Sequence, residues 1–284
     1  VIIAKKPKGE WRFCTDLRAL NAITEKDSYP MPRSDALLGR LGGAAYFTAL
    51  DAERGFFQVE LREEDRHKTA FSAPIGLLEY VVMPMGLKNS PPCFQRLMDI
   101  VFRGLHKFAV CYIDDILCFS PTFEQHLEDL RVVLERLEAA GMTLKLRKCS
   151  FAASEVEFLG HYVTKDGVRP SLRHTEAVER LAIPKDVKGV RQFLGLTGWF
   201  RRFIKNYAKR TRNLAGLTKE SKKFEWTEDH QKEFEDLKKA LCSKPVLKIP
   251  EYGKPFTLDV DASKHQIGGV LMQKDKQDEK ERLK

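Results

Sequence analysis

The stretch Val110-Cys111-Tyr112-Ile113-Asp114-Asp115-Ile116-Leu117 sets two adjacent carboxylates inside an apolar, strand-forming run. Strands of that composition are buried on both faces, and a carboxylate is costly there unless it is paired or binds a metal. The apolar residues on either side predict two strands joined by a hairpin, with Asp114 and Asp115 at its tip. Asp51 ends a second run of similar character, Tyr46-Phe47-Thr48-Ala49-Leu50-Asp51. If these strand ends converge, three acids share one spot. Such a set of oxygen donors suits two Mg²⁺ ions holding a nucleotide triphosphate.

Around this hairpin the patterning predicts the remaining elements. Pro91-Pro92 opens a helix with Phe94, Leu97, Met98, Val101 and Phe102 on one face. Thr122 and Gln125 have the spacing of a capping box, followed by a stripe of Leu127, Leu130, Val133, Leu134 and Leu137 and a stop at Gly141. The order β-α-β-β-α-β through the middle of the chain predicts an α/β (α+β) architecture with helices on one face of the sheet. Upstream, strands at 1–4 and 11–14 flank a basic turn, a short helix is expected at 34–41, and 66–71 and 80–83 read as strands. Beyond about Pro170 helical patterns dominate, at Asp186 to Tyr207 and Thr227 to Leu241. Phe256 to Asp261 and Gly268 to Leu271 then begin a new hairpin.

The chain of 284 residues is 43% hydrophobic and 31% charged, which fits a folded protein. No uncharged apolar run approaches the roughly 20 residues of a membrane span, so no membrane partner is expected. The sequence starts at Val1 without a signal-peptide pattern and reads as a piece of a longer chain. Its six cysteines lack CxxC spacing and read as reduced thiols rather than zinc ligands. The net charge of +9 is uneven. Between Lys185 and Lys223 twelve bases face only Asp186 and Glu220, so the rest of the chain is close to neutral. A basic element on a neutral body suits a polyanion partner; a solvated basic face is the ordinary alternative.

Many blocks, in order, resemble the reverse transcriptases of gypsy-like LTR retrotransposons, which are related to the retroviral enzymes. They include Trp11-Arg12-Phe13, Asp16-Leu17-Arg18-Ala19-Leu20-Asn21, Leu50-Asp51 with Gly55-Phe56-Phe57-Gln58, and Lys68-Thr69-Ala70-Phe71. Met83-Pro84-Met85-Gly86-Leu87-Lys88-Asn89-Ser90-Pro91, Phe94-Gln95, Tyr112-Ile113-Asp114-Asp115 and Lys148-Cys149 with Phe151 continue the series. Phe158-Leu159-Gly160-His161, Phe193-Leu194-Gly195-Leu196, Arg201-Arg202-Phe203-Ile204 and Asp261-Ala262-Ser263 complete it.

The resemblance implies a right-hand polymerase, with fingers at 1–25 and 60–90, palm at 26–59 and 91–168, and thumb and linker at 169–250. Residues 255–284 would be the truncated start of an RNase H domain. It implies an RNA-directed DNA polymerase that extends a primer with dNTPs on an RNA or DNA template, as part of a Pol polyprotein. Its location would be cytoplasmic, within retrotransposon particles, and a homodimer is left open. Asp51, Asp114 and Asp115 would be the metal-binding acids, helped by the Ala52 carbonyl, with two Mg²⁺ ions or Mn²⁺ in their place. Lys6 and Arg12 match phosphate-binding positions, and forked guanidinium and flexible ammonium groups suit that duty. Phe56 matches the aromatic gate against a ribose 2′-OH. Met85 and Gly86 line the nucleotide side, and Met85 departs from the Gln or Phe often found there. Tyr112 and the turn Phe158, Leu159, Gly160 and His161 would hold the primer, while Arg191, Arg201, Arg202 and Lys205 contact phosphates. Trp199, Phe200 and Phe203 are expected to pack inward. Asp261 matches the first RNase H acid, whose partners the chain lacks, so no RNase H activity is expected. Two other readings stand beside this one: a non-catalytic nucleic-acid-binding subunit or domesticated scaffold, and a nuclease built on Asp259 and Asp261.

Overall fold

Near-continuous burial along the two runs that flank the acids puts them in a sheet covered on both faces, with the second run an inner strand and the first at its edge. The computed structural model describes residues 2–5, 9, 11–219, 224–243, 247–250, 254–262 and 267–273. In chain order its first elements are β1 (Ile2–Lys5), β2 (Trp11–Cys14), α1 (Arg18–Ile23), α2 (Ser34–Gly39), β3 (Tyr46–Asp51), α3 (Glu63–Arg66), β4 (Phe71–Ala73) and β5 (Gly76–Leu78). Then come α4 (Ser90–Val101), β6 (Ala109–Tyr112), β7 (Asp115–Ser120), α5 (Phe123–Ala139) and β8 (Ser150–Ala153). Three short strands follow, β9 (Glu155–Phe158), β10 (His161–Thr164) and β11 (Gly167–Pro170). A helical region holds α6 (Leu172–Glu179), α7 (Val187–Trp199), α8 (Tyr207–Arg210), α9 (Arg212–Gly216) and α10 (Glu228–Cys242), and β12 (Thr257–Ala262) and β13 (Ile267–Met272) form a last hairpin.

The central antiparallel sheet has the order β6-β7-β3-β8, and its β3-α4-β6-β7-α5-β8 sequence is the expected one. Phe94, Met98 and Val101 of α4 and Val133 and Leu137 of α5 pack on one face, against Leu50, Ile116 and Cys118. The opposite face is also covered: Phe47, Val110, Leu117 and Phe119 meet α2, strands β9 to β11 and the helical region. The α5 stripe is rotated from the expected one. Val133 and Leu137 are buried, but Leu127 and Leu134 are exposed and their place is taken by His126 and Asp129. Those two are affordable because they are bonded inside: Thr48 Oγ1 lies 2.7 Å from His126 Nε2, and Ser120 Oγ donates to Asp129 at 2.7 Å. The box at Thr122 is half formed; its side chain accepts the Gln125 N–H, while the Gln125 amide turns to Asp129.

Three expected elements differ. Residues 66–71 form the end of α3 and a 3-10 turn before β4, and 80–83 contribute only the isolated bridge Glu60–Val82. The acid-rich first turn of α3, Glu63 to Asp65, favours a helix N-terminus over a strand. The helix expected over 186–207 stops at Trp199, with Asp186 capping its start through the Gly189 N–H at 2.6 Å. A 3-10 turn at Arg201–Phe203 and a left-handed Asn206 (φ 58°) then redirect the chain into α8. Among the described residues no helix is long and apolar enough to cross a membrane.

Candidate active site

The acids meet because of strand register. In the β3–β7 ladder Asp51 is the direct partner of Asp115, and across the hairpin Tyr112 pairs Asp115. Directly opposed antiparallel residues have Cα atoms about 4.5–5.5 Å apart and project side chains to one face. Asp114 lies in the two-residue turn between β6 and β7. Asp115 feels both neighbours: burial, then the Asp114 and Asp51 charges, push its carboxyl up to about 6, against the opposing pull of Lys148. Burial and the nearby acids also raise the Cys111 thiol well above its ordinary value.

The turn itself is strained. Ile113 has φ 57°, a conformation that costs a β-branched residue on the order of 1–3 kcal/mol. Both of its backbone polar groups are held. Its N–H donates to Gln95 Oε1 at 2.7 Å, and its carbonyl accepts the Cys111 thiol at 3.1 Å. Gln95 is fully buried on α4, and its amide donates to Asp99 at 2.9 Å; Asp99 in turn accepts the Tyr29 hydroxyl at 2.5 Å. Gly55 closes the same site from the β3 side. A Cβ there would lie 3.3 Å from Asp114 Cβ and 3.5 Å from the Phe94 ring.

Lys148 is a second residue whose role the sequence reading missed. Its Nζ donates to Asp51 Oδ2 at 2.7 Å. The segment that carries it is stitched to β3 by the Lys145 N–H on the Asp51 carbonyl (2.9 Å) and by Gln58, which brackets Thr143 through both backbone groups. Lys148 stood within a matching block, and a lysine in such a block beside three candidate metal acids is a signal; Gln95 gave only its place in the Phe94-Gln95 pair.

As they stand, no three His, Cys, Asp or Glu side chains among the described residues are gathered to hold a metal ion, and Asp51 is paired with Lys148. The donor chemistry nevertheless fits Mg²⁺: two carboxylates at paired strand ends and a third in the adjoining turn, with Asp115 resisting ionisation through burial and the charges of the other two. Ala52 is buried at the end of β3, and its carbonyl accepts only a long 3.4 Å bond from the Gly55 N–H.

The other expected residues fall as follows. Phe56 is half-buried, with its ring edge-on to Phe94 at 5.6 Å, in the 3-10 turn after β3. Met85 and Gly86 are exposed, Gly86 in a positive-φ turn whose carbonyl accepts the Asn21 amide at 2.7 Å. Arg12 lies on β2, opposite Ala4; Lys6 lies outside the described residues. Asp261 lies on β12 opposite Gly268.

Phe158 and His161 pair across a two-residue turn in which Leu159 (φ 49°) and Gly160 (φ 74°) are both left-handed, the geometry a tight hairpin prefers. Leu159 and His161 of this turn, with Tyr112, Trp199, Arg201 and Arg202, line a cavity of about 660 Å³. Phe200 and Phe203 are buried as expected, but Trp199 is 59% exposed: it ends α7 on the side away from the core. Arg201, Lys205 and Arg191 are exposed, whereas Arg202 also reaches into the protein, to His161.

Residues 3–163 match the family model described as reverse transcriptase (RNA-dependent DNA polymerase), and residues 226–283 match the RNase H-like domain found in reverse transcriptase. The chain is 40% identical over 278 residues to the retrovirus-related Pol polyprotein from transposon 297 of Drosophila melanogaster, covering 96% of this chain and 26% of that protein. It is 33% identical over 275 residues to the transposon Tf2-3 polyprotein of Schizosaccharomyces pombe, covering 96% of this chain and 21% of that one. The chain thus spans about a quarter of the length of these relatives. A solved foamy viral protease-reverse transcriptase in complex with double-stranded DNA superposes with a TM-score of 0.85 at 25% identity, over 95% of this chain and 57% of that chain. A helical α/β chain of antiparallel sheets, matched over 161 residues to one family model, belongs to the reverse transcriptase (RNA-dependent DNA polymerase) family.

Proposed function

We propose that this chain is the polymerase region of a retrotransposon Pol polyprotein and extends a primer with dNTPs on RNA or DNA templates. The observation that carries the reading is the register of Asp51 against Asp115, one residue from Asp114, together with the burial and neighbouring acids that lift the Asp115 pKa. A carboxyl whose ionisation is resisted by burial and by two neighbouring acids is wasteful in a structural role and apt in a cation site. On this reading residues 1–25 and 60–90 are fingers, 26–59 and 91–168 palm, and 169–250 thumb and linker. Residues 255–284 belong to an RNase H-like domain.

Phosphoryl transfer needs alignment and charge neutralisation more than covalent help. Two divalent cations bound by Asp51, Asp114, Asp115 and the Ala52 carbonyl would supply that neutralisation around the attacking 3′-oxygen and the leaving pyrophosphate. The protein's own part is positional. Gln95 and Cys111 hold the strained turn and Gly55 lets Asp114 approach. Phe56, braced by Phe94, would act as the gate against a ribose 2′-OH. Lys6 and Arg12 bind the triphosphate, with Met85 and Gly86 beside it. Tyr112 and the 158–161 turn support the primer end, and the basic helical region grips phosphates without reading bases. The duplex-bound foamy viral relative supports this partner.

The test is Mg²⁺-dependent primer extension on RNA and DNA templates, with Asp114→Asn as the control. The wild-type chain should extend and the variant should not, while both bind the duplex. Equal product from the variant would refute the assigned site.

A further inference from the structure

Two adjacent arginines, Arg201 and Arg202, sit in one 3-10 turn but in different surroundings. Both are exposed, but the Arg201 side chain has no hydrogen-bond or ion-pair partner among the described residues. Arg202 Nη2 donates to His161 Nε2 at 2.9 Å, and its guanidinium lies over the Phe203 ring at 5.1 Å. Its guanidinium end is crowded enough that desolvation lowers its pKa, yet it has no ion-pair partner among the described residues. The nearest acid to act on it, Asp35, is already paired with Arg33 at 2.7 Å.

His161 is 2% exposed, with its ring stacked on Phe203 at 5.7 Å and edge-on to Phe200 at 5.6 Å. Because Nε2 receives the Arg202 N–H, Nδ1 carries the proton and donates to the Leu159 carbonyl at 2.9 Å. The other carbonyl of that left-handed turn, on Gly160, accepts the Ser171 N–H at 3.1 Å. One neutral imidazole therefore joins the 158–161 turn to the basic helical region.

We propose that His161 and Arg202 act as one positioning unit that holds the 158–161 turn to the helical region, while Arg201 alone meets nucleic-acid phosphate. This assigns Arg202 a different duty from the phosphate contact expected of it, and it rests on the polymerase reading for the meaning of the turn.

The test compares His161→Phe, which keeps an aromatic ring but loses both bonds, with Arg202→Met, the double variant and Arg201→Met. Single-turnover extension should slow about tenfold in His161→Phe and in Arg202→Met, the scale of one charge-assisted bond, and no further in the double variant. Arg202→Lys, which retains a donor, should recover part of the rate. The salt slope of duplex binding, read by fluorescence anisotropy, should fall by about one in Arg201→Met and stay unchanged in Arg202→Met. Multiplying effects of His161→Phe and Arg202→Met, a silent His161→Phe, or a lowered slope in Arg202→Met would each overturn the proposal. Where His161→Phe does not fold by thermal melting, His161→Gln replaces it and should combine with Arg202→Met in the same non-multiplying way. Failure of the wild-type chain to extend would count against the polymerase reading instead, and the salt-slope comparison decides this proposal without catalysis.

Discussion

Gln95 Oε1 accepts the backbone N–H of Ile113 at 2.7 Å, joining a fully buried amide on α4 to the strained residue between Tyr112 and Asp114. Gln95→Leu would strand that N–H and leave Asp99 without one of its donors. The expected cost is about 1–3 kcal/mol in urea denaturation, the penalty of an unsatisfied buried group. The extension rate should fall as well, with duplex affinity little changed. Loss of stability with an unaltered rate would mean the bond serves the fold alone.

Gly55→Ala should act on the same turn from the other side. The new methyl would sit 3.3 Å from Asp114 Cβ, tight enough that the carboxylate must give way. Because small misplacements of reacting groups are costly, a drop of roughly tenfold or more in single-turnover rate is expected. A Tm within a few degrees of wild type would separate this from unfolding. An unchanged rate would show that the approach is not functional.

Asp115 links stability to pH and to metal. Its carboxyl is pushed up to about 6 in the folded chain, above the ordinary aspartate value. A raised folded pKa gives stability that is fully present below the unfolded pKa and lost as pH rises through the folded one. Without divalent ions the Tm should therefore decline through about pH 6, and Mg²⁺ should raise Tm more at pH 7.5 than at pH 5. Asp115→Asn should flatten both responses; an unaltered pH profile in that variant would remove Asp115 as their source.

On the proposed reading Lys148, paired with Asp51, would compete with a cation for that carboxylate. The pair is exposed on the lysine side, so its loss should cost less than about 1 kcal/mol of stability. Removing the positive charge in Lys148→Met should tighten Mn²⁺ binding about two- to threefold in titration calorimetry, by relief of like-charge repulsion. Weaker binding would show that Lys148 holds Asp51 in its metal-ready pose.

Much of this site could be read from residue order, because period-two strands and the turn between them dictate where Asp51, Asp114 and Asp115 fall. The supports were less legible. Gln95, His126 and Asp129 are polar residues buried on helices, and their burial is made tolerable only by partners distant in sequence, Ile113, Thr48 and Ser120. Trp199 and the end of α7 escaped for a related reason. An apolar pattern continues past residue 199, but Phe200 and Phe203 reach the core through a 3-10 turn rather than along one helical face. The segment 66–71 shows local helix preference overriding a strand-like composition.

The central claim is that Asp51, Asp114 and Asp115 converge on a pair of divalent cations. Anomalous scattering from crystals of the chain with template–primer and Mn²⁺ tests it most directly. Two peaks about 4 Å apart, touching all three carboxylates with Lys148 swung away from Asp51, are the expected result. Duplex-bound crystals in which Mn²⁺ avoids these acids and the Asp51–Lys148 pair stays closed would contradict it.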